Sequence, residues 1–189
     1  LIGSDNNLYL YLNNGTGDFT LSDTFPGGTG AFGDLNGDGY LDISYFEAIN
    51  KIRIIRNANA NFSLEPTEFI TENVNSIDNI LIDDLDNDGD LDVIGLNYYF
   101  YPSGFGFFDI NRFFNELKNI GSGEFYFHSI YTDHFEHTGN IGINIQNSKI
   151  IDINNDGFID FVTPGRNISN NGNGIFSVIS GNILFANSQ

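Results

Sequence analysis

Asp84-Leu85-Asp86-Asn87-Asp88-Gly89-Asp90-Leu91-Asp92 is the stretch that decides how this chain is read. It returns without a gap as Asp34-Leu35-Asn36-Gly37-Asp38-Gly39-Tyr40-Leu41-Asp42 and as Asp152-Ile153-Asn154-Asn155-Asp156-Gly157-Phe158-Ile159-Asp160. Self-similarity at intervals of some tens of residues marks a repeat architecture. The copies start at positions 34, 84 and 152, so the middle unit carries about 18 more residues than the first.

Each nonapeptide has the composition of a hard-cation loop. Calcium takes six to eight oxygens, and positions 1, 3, 5 and 9 supply carboxylate or amide oxygens. These are Asp34, Asn36, Asp38 and Asp42; Asp84, Asp86, Asp88 and Asp92; and Asp152, Asn154, Asp156 and Asp160. The backbone carbonyl at position 7 (Tyr40, Asp90, Phe158) adds another oxygen. Glycine at position 6 (Gly39, Gly89, Gly157) permits the sharp turn round the ion. An all-oxygen set disfavours zinc and copper, and magnesium demands stricter octahedral geometry. About three calcium ions are therefore expected. Loop 2 has carboxylates at all four side-chain ligand positions against three plus an asparagine in the others, so charge ranks it as the tightest. Acidic turns without an ion are the competing reading of one copy, because Asp, Asn and Gly favour turns. Three copies in register argue against it.

A second pattern accompanies the loops. Leu8 to Leu12 runs into Asn13-Asn14-Gly15-Thr16-Gly17 and then Asp18-Phe19. Ile52 to Ile55 is followed by Asn57 to Asn61 and Phe62, and Phe113-Phe114 by Asn119 to Gly123 and Phe125. Asn167 to Gly174 before Ile175-Phe176 is a looser version. Strand, Asn/Gly turn and strand is the hairpin signature. Asp109 to Lys118 could pass for a short helix, but its alignment with the other hairpins makes it a strand. The expected fold is all-β, with propeller-type blades of four antiparallel strands. One domain spans 1–189, with a partial blade at about 1–29 and fuller ones at about 30–78, 79–146 and 147–189. The opening Leu1-Ile2-Gly3-Ser4 matches the residues just after an acidic loop, as in Val93-Ile94-Gly95-Leu96. The chain is therefore expected to start mid-blade, as a processed form or a piece of a longer protein. A mid-blade start leaves an unpaired edge through which copies could self-associate.

The loops and the Asn-Gly-x-Gly-x-Phe turns resemble the FG-GAP/VCBS repeats of integrin α-chain-type β-propellers, over nearly the whole chain. The resemblance implies four-stranded blades with calcium held in loops between adjacent strands, and its ligand positions fall on the side chains named above. It also implies an extracellular or cell-surface location.

Composition narrows the function. The 189 residues carry 25 acidic and 7 basic side chains, a formal net charge of −18. Nucleic acid and anionic membrane surfaces are excluded as partners, because both need clustered Lys and Arg. Three calcium ions would relieve the self-repulsion, leaving roughly −12. There is no Cys, hence no disulfide or thiol chemistry, and no apolar run long enough for a membrane span. No Gly-x-Ser-x-Gly elbow or phosphate loop appears, and the carboxylates are accounted for as ligands, so no catalytic residue is expected. His134 and His137, with Asp133 and Glu136, read as a polar loop rather than a zinc site. Tyr98 to Tyr101 and Phe105 to Phe108 fit either a sugar-stacking or subunit-contact surface, or strand core plus a Gly-rich turn. Asn14, Asn61 and Asn167 open glycosylation triplets, and all three are expected to be exposed beside hairpin turns. The leading expectation is a non-enzymatic, calcium-binding adhesion or scaffold module that meets a protein or glycan ligand. A self-assembling subunit of a surface fibre and a glycan-binding or enzyme-appended domain are the alternatives.

Overall fold

The computed structural model describes residues 1–4, 7–47, 51–65, 69–70, 79–104, 107–137, 148–163, 166–172 and 176–179. Every described element is a strand, and every pair is antiparallel. Among the described residues no helix is long and apolar enough to cross a membrane. Strands β1 (Ile2–Ser4), β2 (Asn7–Asn13) and β3 (Phe19–Pro26) form a three-stranded sheet with β2 in the middle. The second sheet holds β4 (Gly30–Gly33), β5 (Asp42–Glu47), β6 (Lys51–Ala58) and β7 (Asn61–Leu64), with β8 (Phe69–Ile70) also pairing with β6. The third holds β9 (Asn79–Asp83), β10 (Asp92–Gly104), β11 (Phe107–Asn119) and β12 (Phe125–His137). The fourth holds β13 (Lys149–Ile151), β14 (Asp160–Thr163), β15 (Arg166–Asn170) and β16 (Phe176–Ile179). Asp109 to Lys118 lies within β11, a strand as expected.

The strands of each sheet follow one another in chain order, with β8 added beside β6, and in the second, third and fourth sheets the acidic loop joins the first strand to the second. The sheets stack as blades because their central strands are apolar on both faces. Leu8, Leu10, Ile43, Tyr45 and Ile55 fill the space between the first and second sheets. Leu35, Phe46, Ile52, Ile54, Ile80, Val93 and Leu117 fill the next. Leu85, Ile94, Leu96, Phe161 and Ile168 fill the third. Strand β10 shows the alternation: Val93 points to one neighbour, Ile94 and Leu96 to the other.

Loop position 2 belongs to this packing too. Leu35 and Leu85 are 1% and 2% exposed, each set against the following blade. Ile153, with no described sheet beyond it, is 37% exposed. Close stacking also demands glycine at Gly33 on β4, where an added Cβ would lie 2.7 Å from Ile82 Cγ2 on β9. Gly33→Val is expected to cost about 1–3 kcal/mol by overpacking. Urea denaturation checks this, and a wild-type midpoint would show that the blades can move apart freely.

The extra length of the middle unit lengthens its strands. β9 covers only Asp92–Leu96 of β10, and the rest of β10 continues as a ribbon paired to β11, which itself pairs with β12. At about 3.3 Å per residue, positions 97–104 carry that ribbon about 26 Å past the end of the β9 pairing. Pro102 sits at a register shift in it, where a missing N–H costs little. The side chains of Tyr98–Tyr101, Phe107, Phe108, Asp133, His134, Glu136 and His137 lie outside the described residues, as does Phe105 altogether.

The glycosylation triplets divide. Asn14 lies in the β2–β3 turn and Asn61 opens β7, both exposed. Asn167 corrects the expectation of exposure: it lies within β15 and is 5% exposed. The looser turn begins later than its Asn/Gly content suggested, at position 171, so Asn167 pairs in the ladder with Val162 and Ile179.

Candidate metal loops

The three nonapeptides fold alike because the same side chains bind the same backbone groups. The position-1 carboxylate accepts from the N–H groups of positions 5 and 6. Asp84 Oδ1 takes Asp88 N at 3.1 Å and Oδ2 takes Gly89 N at 2.9 Å. Asp34 does the same with Asp38 and Gly39, and Asp152 with Asp156 and Gly157. The position-5 carboxylate then accepts from the N–H of position 7, that of Tyr40, Asp90 or Phe158. The curl needs a left-handed backbone twice. Position 6 supplies it with Gly39, Gly89 and Gly157 (φ 86°, 95° and 91°). Position 4 supplies it with Gly37, Asn87 and Asn155 (φ 73°, 59° and 61°). Sequence reading missed position 4, although Gly and Asn are the residues that visit this region at least cost.

In loop 2, one carboxylate oxygen from each of Asp84, Asp86 and Asp88 lies within 4.8 Å of the other two. Asp86 Oδ1 is buried there without a hydrogen-bond donor. Converging hard oxygens with one left unsatisfied are what a divalent cation would complete. In loops 1 and 3 the asparagine turns its amide toward position 5: Asn36 Nδ2 to Asp38 Oδ2 at 3.0 Å and Asn154 Nδ2 to Asp156 Oδ2 at 2.8 Å. Their amide oxygens accept from the N–H of position 5.

The position-9 aspartates sit deeper than their spacing suggested. Asp42, Asp92 and Asp160 are each 0% exposed and bridge two backbone segments. Asp92 Oδ2 accepts from Leu85 N and Oδ1 from Asn119 N on the following hairpin, at 3.0 and 2.8 Å. Asp42 binds Leu35 N and Asn57 N, and Asp160 binds Ile153 N and Asn170 N, in the same way. Burial pushes the Asp92 carboxyl up to about 7, against the two N–H bonds, and Glu116 and Asp88 add repulsion. With a folded pKa above the unfolded one, its contribution to stability is full below about 4 and is lost as pH climbs through 7. A cation beside it would reverse that shift.

Two of the three hairpin asparagines whose N–H groups donate to these aspartates also reach the neighbouring blade. Asn119 Nδ2 donates to Leu35 O in the preceding blade's loop and to Leu91 O in its own. Asn170 Nδ2 donates to Leu85 O, again one blade back. The residue just before each asparagine differs. Arg56 pairs with Asp42 and Glu65, both at 2.8 Å, and donates to Gly123 O of the next blade. Lys118 pairs with Asp86 and lies 3.9 Å from Asp88. Ser169 Oγ accepts from Asn154 Nδ2.

Neither a curated protein nor a solved structure matches the chain. The FG-GAP-like repeat model matches residues 1–44 and again 34–95, so two tandem, overlapping matches cover the first half of the sequence. With four antiparallel blades and the same loop folded three times, the chain belongs to the FG-GAP-like repeat family.

Proposed function

We propose that residues 1–189 form one non-enzymatic repeat domain that binds about three calcium ions and serves as an extracellular adhesion or scaffold module. The side chains of Asp34, Asn36, Asp38 and Asp42, of Asp84, Asp86, Asp88 and Asp92, and of Asp152, Asn154, Asp156 and Asp160 would hold the ions. The carbonyls of Tyr40, Asp90 and Phe158 would add to them. The observation that carries this reading is the convergence of Asp84, Asp86 and Asp88 round a buried, unpartnered Asp86 oxygen. Calcium would supply charge neutralisation there, holding together loops whose carboxylates otherwise repel. Such repeats occur in extracellular and surface proteins, where free calcium is plentiful, and the net charge of −18 suits a protein that carries cations. Partners would be a protein or glycan at that surface.

Calorimetric titration with calcium is expected to show about three ions per chain. Asp84→Asn with Asp88→Asn should lower this to about two while the fold persists by circular dichroism. An absence of heat up to millimolar calcium would remove the proposal.

A further inference from the structure

We infer that Lys118 is a tethered counter-cation of loop 2, which calcium must displace, so the loop richest in carboxylates is not the tightest. This rests on the calcium reading above but adds to it a residue outside the nonapeptide.

Lys118 is held in place by its neighbour. Asn119 is buried and fixed by its backbone N–H to Asp92 and by its side chain to two carbonyls, so the base of the lysine cannot drift. From there the ammonium meets Asp86 Oδ2 and approaches Asp88 Oδ2, two of the three carboxylates that converge in the loop. The side chain is 24% exposed, and its flexible four-carbon stem can swing out to water. An ammonium offers only donors, so it and a calcium ion compete for the same oxygens.

The other two blades provide the comparison. At the same place before the hairpin asparagine, Arg56 is committed to Asp42, Glu65 and Gly123 O. Ser169 brings no charge, and its hydroxyl accepts from Asn154 Nδ2. Counted over the side chains of positions 1, 3, 5 and 9, loop 2 with Lys118 equals loop 3 with Ser169, at three net negatives each. Of the two, only loop 2 must first expel a resident cation from its converging carboxylates, which lowers its apparent affinity by the fraction of time the cage is free. Loop 3 therefore outranks loop 2, against the ranking from carboxylates alone.

The position-6 glycine amides report each loop separately, since each bonds to its own position-1 carboxylate. Amide NMR during a calcium titration is expected to show Gly157 saturating before Gly89. In Lys118→Gln the Gly89 midpoint should fall about tenfold, the scale of one nearby charge at a partly exposed site, with Gly157 unmoved. Ser169→Lys should raise the Gly157 midpoint by a similar factor. In the wild-type protein, acetylation of Lys118 should increase when calcium is added, relative to exposed Lys149. If no glycine amide responds to calcium, the parent reading fails. If the amides respond but the Gly89 midpoint ignores Lys118→Gln, or Lys118 acetylation stays flat, the lysine's role is refuted. The acetylation measurement decides the matter even if the variants do not fold.

Discussion

Raising free calcium from chelated levels to about one hundred times the dissociation constant should lift the melting temperature by roughly 20 °C. Each ion that binds only the folded chain adds about 2.7 kcal/mol at that excess, so three add about 8 kcal/mol. For a domain of this size each kcal/mol moves the midpoint by about 2–4 °C. The physical source is local. Asp84, Asp86 and Asp88 crowd together, and Asp92 is buried beside them. Without a cation that proximity costs repulsion and desolvation. Scanning calorimetry with EDTA, with calcium and with magnesium tests it, and magnesium should shift the midpoint less. A midpoint indifferent to calcium would mean that the loops are acidic turns held by their own hydrogen bonds.

Asn119→Leu should destabilise the protein by about 3–5 kcal/mol, among the largest effects of any single surface-distant polar change. The side chain is 1% exposed and makes three hydrogen bonds: Nδ2 to Leu35 O and Leu91 O, and Oδ1 from Gly121 N. Leucine leaves three backbone groups without partners, at about 1–3 kcal/mol each where they are buried. The control is Asn57→Leu. Asn57 Nδ2 donates to Leu41 O and its Oδ1 accepts from Ala60 N, both in an exposed setting, so about 1 kcal/mol is expected. Urea denaturation of both variants compares them directly. Equal losses would show that the link from Asn119 to the preceding blade carries no special weight.

The parts of the molecule that were legible in sequence are those built from neighbours along the chain. The loops could be seen because ligands and turn glycines recur within nine residues. The hairpins could be seen because Asn13, Asn57 and Asn119 precede Gly or Ala at turn spacing. Contacts across the blades could not. Nothing in the order of residues says that Asn119 reaches back to Leu35 O, because alternation fixes which face a side chain takes and not what lies opposite. Position-9 aspartates read as ligands from their spacing, but their burial and double backbone bonding depend on where the next hairpin arrives. Asn167 shows the same limit: an Asn-rich run looked like a turn, yet apolar Ile168 draws the run into the sheet. Lys118 escaped notice because it lies 26 positions beyond loop 2, in a strand with an ordinary mix of charges.

The asparagine bridges make each blade's loop a hook for the next. Leu35 O is caught by Asn119, and Leu85 O by Asn170, with the apolar side chains of the same two leucines buried alongside. Among the described residues, cohesion is thus passed hand to hand from one blade to the next. Longer or shorter tandems can then be assembled from the same module, since each added blade repeats one interlock: a loop that offers a carbonyl and a buried leucine, and a hairpin that donates to it across an apolar seam.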